Sequence, residues 1–323
     1  ALGERTMDRK KAQLRRLPSA ETLAAATVVC TDKTGTLTQN EMTVRRVWLP
    51  GAELAVTGSG YDPSGEYTSN GMPAGDRNDL RRLLLTGLRC NHAQVLRDGG
   101  EWVKIGEPTE AALVAAAYKA GLSQDADELR VVTEFFFDST RKRMTVVYAE
   151  PEGNVAHVKG APEVIIDRCT HVLVGDEQIP LDAERRAAAR AAYRRFADDG
   201  LRTLALARRV LPTGLRLDAD TVESDLTLLG VVGILDPPRP EVPGAVAEAA
   251  AAGIDVVMVT GDSAGTALAI ARRIGMQADR AVTGPELDAM DDAAVAFALA
   301  EGAVFARVSP EHKLRIVSLL RDR

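Results

Sequence analysis

The stretch VVCTDKTGTLTQNE, residues 28–41, sets a short apolar run directly against an acid, a base, hydroxyls and a glycine. A Val-rich run with polar residues at its carboxyl end is typical of a buried strand in a parallel sheet. Ligands of such sheets bind outside the carboxyl ends of the strands, where Asp32 falls. Gly35 permits close backbone approach, and the loop around it can present N–H groups to an anion. Asp32 is therefore a candidate carboxylate nucleophile toward phosphorus, and the alternative is a strand-end Asp that caps a turn.

Composition bounds the possible classes of protein. The 323 residues suffice for about two domains, and 46% hydrophobic with 27% charged residues is ordinary for a globular chain. A net charge of −6 gives no reason to expect nucleic acid as a partner. The three cysteines match no disulfide or zinc spacing, which favours a reducing compartment. No run of 18 apolar residues occurs, so we expect no membrane span in this sequence, and the missing Gly-Lys pair excludes a P-loop NTPase.

Two further Val-rich runs, at residues 255–260 and 303–308, are predicted to be buried parallel strands. Helical patterns at residues 243–252 and 264–274 precede them, and each ends at a glycine. This alternation predicts an α/β fold with a doubly wound parallel sheet.

The pattern changes between Glu41 and about Leu235. We predict strands at residues 102–105, 144–149, 155–159 and 201–207, helices at 108–120 and 183–198, and a loop at 58–75. This is typical of a separate α+β domain inserted after the first strand of the sheet domain. The proline-rich residues 236–240 mark the return crossing, because prolines stiffen a hinge.

The string DKTGTLT, residues 32–38, is far more specific than one Asp, and other motifs follow it. They are GEPTE at residues 106–110, Phe137 with RKRM at 141–144, KGAPE at 159–163, DPPR at 236–239, TGD at 260–262, and Lys313. In this order the motifs resemble those of P-type ATPases along nearly the whole chain. The cytosolic type II pumps, including calcium pumps, have the most similar pattern, and the His-Pro pair of the heavy-metal subfamily does not occur.

The resemblance implies a haloacid-dehalogenase-like phosphorylation domain with an inserted nucleotide-binding domain. It places a stalk-like basic helix at residues 1–18, the first part of the phosphorylation domain at 19–40, the nucleotide-binding domain at 41–235, and the second part of the phosphorylation domain at 236–323. The two domains would close about the crossings at residues 40–41 and 236–239.

The resemblance also implies catalytic roles. Asp32 would attack the γ-phosphorus of ATP, and Thr34 would lend its carbonyl to Mg²⁺ and its side chain to the phosphoryl group. Thr260 and Gly261 would hold phosphoryl oxygens. Asp262 would order that loop, and Lys313 would neutralise charge on the attacked group.

In the inserted domain Phe137 would stack on adenine, Glu110 would hydrogen-bond near it, and Lys142 and Lys159 would line the pocket. The other residues to which the resemblance assigns nucleotide binding are Gly160, Arg202, Asp236, Arg239 and Arg307. Each has a simpler alternative. A Phe beside a strand usually belongs to a core, Lys142 lies in a basic run typical of a solvated face, Lys159 can extend along a strand end, and Arg202 can cap a helix.

Soluble phosphatases of the haloacid dehalogenase type carry a second Asp two residues after the nucleophile, which hydrolyses the acyl-phosphate. Thr34 stands there and cannot act as a base, so the phosphoenzyme is expected to persist. A soluble phosphatase and a non-catalytic nucleotide-binding module are the alternative functions.

The GDG-x-ND and TGE motifs of the pumps do not occur, and the last residue is Arg323. We therefore expect a cytosolic piece of a larger pump at the cytoplasmic face of the cell membrane, which uses ATP and Mg²⁺. Because its metal site lacks a carboxylate of the GDG-x-ND motif, we expect this piece to bind ATP but to be phosphorylated only weakly. Its partners would be the membrane helices and actuator domain of the same pump. The transported ion, calcium by analogy, cannot be identified from this chain.

Overall fold

The computed structural model describes residues 26–124 and 129–321. The basic helix predicted at residues 1–18 lies outside the described residues. The described chain divides into two compact units, one formed by residues 26–37 and 239–321 and the other by residues 38–238. Among the described residues, no helix combines the length and apolarity that crossing a bilayer requires.

The strands of the described chain, in order, are β1 Val28–Asp32, β2 Thr43–Leu49, β3 Ala52–Val56, β4 Tyr67–Ser69, β5 Met72–Pro73, β6 Gln94–Asp98, β7 Glu101–Ile105, β8 Arg130–Asp138, β9 Arg143–Glu150, β10 Gly153–Gly160, β11 Cys169–Val174, β12 Glu177–Pro180, β13 Arg202–Val210, β14 Leu226–Leu235, β15 Asp255–Val259, β16 Ala281–Thr283 and β17 Val304–Ala306. The helices are α1 Asn78–Arg89, α2 Pro108–Lys119, α3 Pro162–Arg168, α4 Ala183–Asp198, α5 Ala219–Val222, α6 Val242–Ala251, α7 Ala264–Arg273, α8 Gly284–Ala289, α9 Asp292–Ala300 and α10 Pro310–Arg321.

The first unit is built on a four-stranded sheet with the order β1-β15-β17-β16. All three strand pairs are parallel, as predicted for the Val-rich runs. The prediction that the first run is buried is wrong, because β1 lies at one end of the strand order, none of its five residues is buried and Val29 is exposed. Helices α6 and α7 form where the sequence predicts them, and a buried apolar cluster that includes Val257, Phe305 and Ile316 packs the sheet against its helices. The carboxyl ends of the parallel strands therefore share one edge, where the loops that follow them meet.

The second unit contains an eleven-stranded sheet in which most pairs are antiparallel. All ten residues of β14 are buried. β13 pairs with one edge of this strand while β2 and β11 share the other, and helices α1, α3 and α4 contact it. The strands predicted at residues 144–149, 155–159 and 201–207 form here as β9, β10 and β13, each a little longer than predicted. Helix α4 has the predicted bounds, and α2 ends one residue before its predicted end.

The loop predicted at residues 58–75 is wrong in part, because β4 and β5 lie within it. β4 pairs with β3, where Val56 lies opposite Tyr67, and the Tyr67 hydroxyl donates to the Ala116 carbonyl at 2.5 Å. Turn-forming composition predicts a loop locally, but the edge of an existing sheet supplies backbone partners that local sequence does not reveal.

Candidate functional site

Strand register brings the first two predicted site residues together in the first unit. Asp32 is the last residue of β1 and lies opposite Val259 of β15. Thr260 follows Val259 directly, and its backbone N–H donates to the Phe305 carbonyl of β17 at 2.8 Å. Asp32 and Thr260 therefore lie at the same edge of the sheet, at the ends of neighbouring strands.

Helix α10 supplies one positive charge of this cluster. Lys313 lies near its start, and its backbone N–H donates to the Ser309 carbonyl at 3.2 Å. Its Nζ donates to Oδ2 of Asp32. The Asp32 side chain is 42% exposed and that of Lys313 is 35% exposed, so a phosphate has access to both groups. A compact ammonium is suited to neutralising a phosphoryl oxygen beside this carboxylate.

The TGD loop, residues 260–262, is fixed from within. Thr260 is fully buried, and its Oγ1 accepts a hydrogen bond from the Asp262 backbone N–H at 3.1 Å. A side chain at Gly261 would meet no other atom within 4 Å, so the backbone there is open to an approaching ligand. The Arg307 N–H donates to the Asp262 carbonyl at 2.9 Å. Arg307 has φ of 51°, a conformation that non-glycine residues adopt rarely and often near functional sites.

Lys33 belongs to this cluster although the sequence motifs assign it no role. Its side chain is 4% exposed, and its Nζ contacts Oδ2 of Asp262. This ion pair joins the loop after β1 to the TGD loop. A lysine directly after the predicted strand was the one available signal, but local sequence does not identify its partner.

Residues 33–37 form a loop around Asp32 that is held by Arg239. Gly35 has φ of 74°, which favours glycine, and Thr34 has extended angles of −73° and 124°. Arg239 Nη2 donates to the Gly35 carbonyl at 3.1 Å, and its Nε donates to the Thr36 carbonyl at 3.2 Å. The structure thus places this guanidinium on the loop, and the nucleotide contact of Arg239 stays a prediction.

The donors near Asp32 fit the preference of Mg²⁺ for hard oxygen ligands. The two predicted ligands are the accessible Asp32 carboxylate and the backbone carbonyl of the exposed Thr34. In the described ranges no group of three His, Cys, Asp or Glu side chains is arranged to hold a metal. Mg²⁺ commonly binds one or two carboxylates and takes its other ligands from phosphates and water, so this small donor set is suitable.

In the second unit Lys159 and Glu110 form a pair at the carboxyl end of β10 and the start of α2. The Lys159 side chain is 8% exposed, and its Nζ donates to Oε1 of Glu110 and to the Cys90 carbonyl, the latter at 2.5 Å. The second oxygen of Glu110 accepts from the His92 backbone N–H at 3.2 Å. Two residues predicted to bind the nucleotide are therefore in contact, although they lie on different elements of the chain.

Phe137 lies in a β-bulge at the end of β8. Phe135 pairs with Thr145 and Asp138 with Arg143, so Phe136 and Phe137 together oppose one residue of β9. Phe136 is 66% exposed and Phe137 is 64% exposed, which excludes the core alternative for Phe137. Two neighbouring aromatic side chains are thus available for stacking.

Lys142 and Gly160 meet at the turn between β8 and β9. Lys142 has φ of 53°, and its Nζ lies 3.6 Å from Oε1 of Glu163. Gly160 lies opposite Arg143, and a Cβ at this glycine would lie 2.6 Å from the Lys142 carbonyl oxygen. Gly160 therefore allows the two backbones to approach closely.

Arg202 and Asp236 make contacts inside the second unit. Arg202 Nη1 donates to Thr109 Oγ1 at 2.8 Å. The Asp236 carboxylate is 4% exposed and accepts from Thr38 Oγ1 at 2.6 Å and from the Glu41 N–H at 3.2 Å. Asp236 thus holds residues 38 and 41 beside residue 236 within the second unit, and its nucleotide contact stays a prediction.

The cysteines near these clusters are poor nucleophiles. Burial raises the pKa of the Cys30 thiol, although the charge of Lys313 opposes the shift. Burial likewise raises the pKa of Cys90 to about 11, against the effect of Lys159. Because the thiolate is the reactive form, Asp32 remains the candidate nucleophile.

Comparison with known proteins points to one class of enzyme. Residues 79–241, just over half of the chain, match the family described as the P-type ATPase, cytoplasmic domain N. The chain is 40% identical over 330 residues to a calcium-transporting ATPase of Bacillus subtilis, and the match covers 100% of this chain and 37% of that protein. It is 39% identical to a cation-transporting ATPase of Synechocystis, with the same two coverages. A probable cation-transporting ATPase of Mycobacterium tuberculosis is 38% identical, again over 100% of this chain and 37% of the relative.

Proposed function

Because this chain belongs to the P-type cation-transporting ATPase family, we propose that it carries the ATP-binding and phosphorylation functions of an ion pump. The second unit would bind ATP, and Asp32 of the first unit would accept the γ-phosphate. The chain spans little more than a third of its relatives, 37% of the Bacillus protein. Transport, membrane helices and an actuator domain would therefore belong to the remainder of the pump, with this portion at the cytoplasmic face of the cell membrane. Calcium is the proposed cargo, since one relative is named a calcium-transporting ATPase.

The accessible Asp32 carboxylate beside Lys313 is the observation that carries the proposal. A carboxylate oxygen of Asp32 would form a bond to the γ-phosphorus. The bond between that phosphorus and the β,γ-bridging oxygen would break, and ADP would leave with the electron pair. Lys313 and the open backbone at Gly261 would stabilise charge on the transferred group.

Mg²⁺, when bound by Asp32 and Thr34, would shield the charge of the phosphate oxygens. Lys33 and Arg239 would keep the two loops in place through the contacts described above. The parallel sheet with Asp32 at its carboxyl edge supports a haloacid-dehalogenase-like core as part of the same proposal.

In the second unit, the nucleotide would lie against the Lys159–Glu110 pair with its adenine stacked on Phe137. Exposure of Phe137 and the polar groups around Glu110 support this placement. Aromatic stacking is tolerant of base identity and contributes roughly 1–3 kcal/mol per base.

Acid-quench labelling with γ-labelled ATP and Mg²⁺ tests the proposal. The expected product is a label that acid preserves and hydroxylamine releases, because acyl-phosphates react with hydroxylamine. Asp32→Asn should abolish the label. Asp255→Asn is the matched control, because Asp255 lies at the opposite end of the neighbouring strand β15 and is exposed. A label that persists in Asp32→Asn would exclude Asp32 as the acceptor.

Two other results would point to the alternative functions. Saturable ATP binding without any label would restrict this chain to nucleotide binding. Rapid turnover of p-nitrophenyl phosphate, lost in Asp32→Asn, would favour the soluble phosphatase, although Thr34 provides no general base for that reaction.

A further inference from the structure

Glu223 is a buried carboxylate that no sequence motif identifies, and it contacts the turn between β8 and β9. Glu223 directly follows α5 and is fully buried. Its Oε2 accepts from Arg143 Nε at 2.5 Å, its Oε1 accepts from Thr145 Oγ1 at 2.7 Å, and Arg141 Nη1 donates to both oxygens at 2.7 and 2.9 Å. A buried charge is stable only with such a complete set of partners.

The donors all lie on one short segment, the end of the β8–β9 turn and the start of β9. Arg143 is itself 4% exposed, so its guanidinium has little access to water. Truncating the Glu223 carboxylate would leave two arginines with no shared counter-charge in a desolvated site. The segment 141–145 therefore depends on Glu223 for its position.

Arg141 connects this network to the β-bulge. The same guanidinium that binds Glu223 through Nη1 donates through Nη2 to the Phe136 carbonyl at 2.6 Å. The Arg141 and Thr140 backbone N–H groups donate to Oδ1 of Asp138 at 2.8 and 2.9 Å. The peptide unit between Phe136 and Phe137 is thus fixed to Glu223 through a single side chain.

We propose that Glu223 is a positioning residue of the nucleotide site. It sets the conformation of the bulge through Arg141, and thereby the direction in which Phe137 meets the adenine ring. The inference rests on the proposed function, since it assumes that ATP binds at Phe137. Glu223 itself would not touch the nucleotide.

A double-mutant cycle on the full chain tests this inference. Binding of ATP and of inorganic tripolyphosphate, which lacks adenine, is measured by calorimetry for the wild type, Glu223→Gln, Phe137→Ala and the double variant. We expect Glu223→Gln to weaken ATP binding about tenfold and to leave tripolyphosphate binding within about twofold. In the Phe137→Ala background, Glu223→Gln should have almost no further effect, because its effect passes through Phe137.

Glu150→Gln is the matched control. Glu150 is another carboxylate of this unit, with a side chain 8% exposed, and it accepts from Arg89 at 2.5 Å and contacts His157 at 2.7 Å. A loss of packing or charge at Glu150 should lower the stability of the unit without selectively weakening the binding of ATP. If Glu223→Gln does not fold, Arg141→Lys replaces it, because Lys keeps the charge but cannot bridge Glu223 and the Phe136 carbonyl.

The outcomes separate the two proposals. The inference would be overturned if Glu223→Gln weakened the binding of ATP and of tripolyphosphate equally. It would also be overturned if the losses of ATP affinity in Glu223→Gln and Phe137→Ala were additive in the double variant, because Glu223 would then have only a structural role. Unchanged ATP binding in folded Glu223→Gln or Arg141→Lys would overturn it as well. Absence of ATP binding in the folded wild type would instead overturn the proposed nucleotide site, and the inference with it.

Discussion

The amine of Lys313 contacts the carboxylate of Asp32, although 281 positions separate the two residues in the chain. Asp32 ends a strand, and Lys313 lies in the first turn of a helix that follows another strand of the same sheet. Parallel strands bring the loops at their carboxyl ends together, which explains the contact. This pair places a carboxylate and a cation at one accessible position.

Lys313→Ala should reduce the rate of Asp32 labelling by about 10²–10³, because one charge that stabilises the transferring phosphoryl group is lost. Quenched-flow labelling measures this rate. Leu314→Ala is the control, since Leu314 lies beside Lys313 on α10 and is 70% exposed. Equal rates in wild type and folded Lys313→Ala would remove Lys313 from the phosphate site.

Phe137→Ala should weaken ATP binding roughly tenfold, as expected for one lost stacking contact. Phe136→Ala provides a closely matched control, because Phe136 is 66% and Phe137 64% exposed in the same bulge. We expect Phe136→Ala to weaken ATP binding by less than about threefold. The Phe136 ring already has an aromatic neighbour, since its centroid lies 5.6 Å from that of His92. Titration calorimetry of both variants decides the question. A larger effect of Phe136→Ala would move the stacking position to that residue.

Gly160→Ala should destabilise the second unit by about 1–3 kcal/mol, the usual cost of forcing atoms into a packed site. The added Cβ would lie 2.6 Å from both the Lys142 carbonyl oxygen and the Arg143 Cβ. Urea unfolding measures the change. In Gly75→Ala the added methyl meets no atom within 4 Å, so this variant should retain wild-type stability. Wild-type stability in Gly160→Ala would show that the β8–β9 turn is free to shift.

Acidification should destabilise the second unit through His157. This ring is 2% exposed, and it contacts Thr86 Oγ1 at 2.9 Å and Glu150 Oε1 at 2.7 Å. Burial lowers its pKa below the ordinary 6.5, against the opposing effect of Glu150. The unfolded chain therefore binds more protons below pH 6.5. The free energy of unfolding is highest above that pH and falls as the pH drops toward the folded pKa, by at most about 1.4 kcal/mol per unit.

Urea unfolding between pH 7.5 and 5.5 checks this pH dependence. His157→Gln should flatten it, whereas His171→Gln, at a half-buried position, should preserve it. A pH dependence that survives unchanged in His157→Gln would assign the effect to other groups.

Much of the site architecture was predictable because it is local. The apolar run before Asp32 and the glycines after α6 and α7 predict a strand and two helix ends from the preferences of neighbouring residues alone. The short strands β4 and β5 were missed because a sheet edge, and not their own composition, stabilises them. The sequence places Asp236 at the return crossing but does not reveal its hydrogen bond to Thr38, which spans 198 positions.

By itself the sequence determined the α/β pattern and the choice of candidate site residues, because motifs such as DKTGTLT and KGAPE lie within a few residues. Only the tertiary structure decided which charges meet. The partners of Lys33, Lys159 and Glu223 lie on other elements. Strand register and desolvation select those partners, and neither can be read from a short stretch of chain.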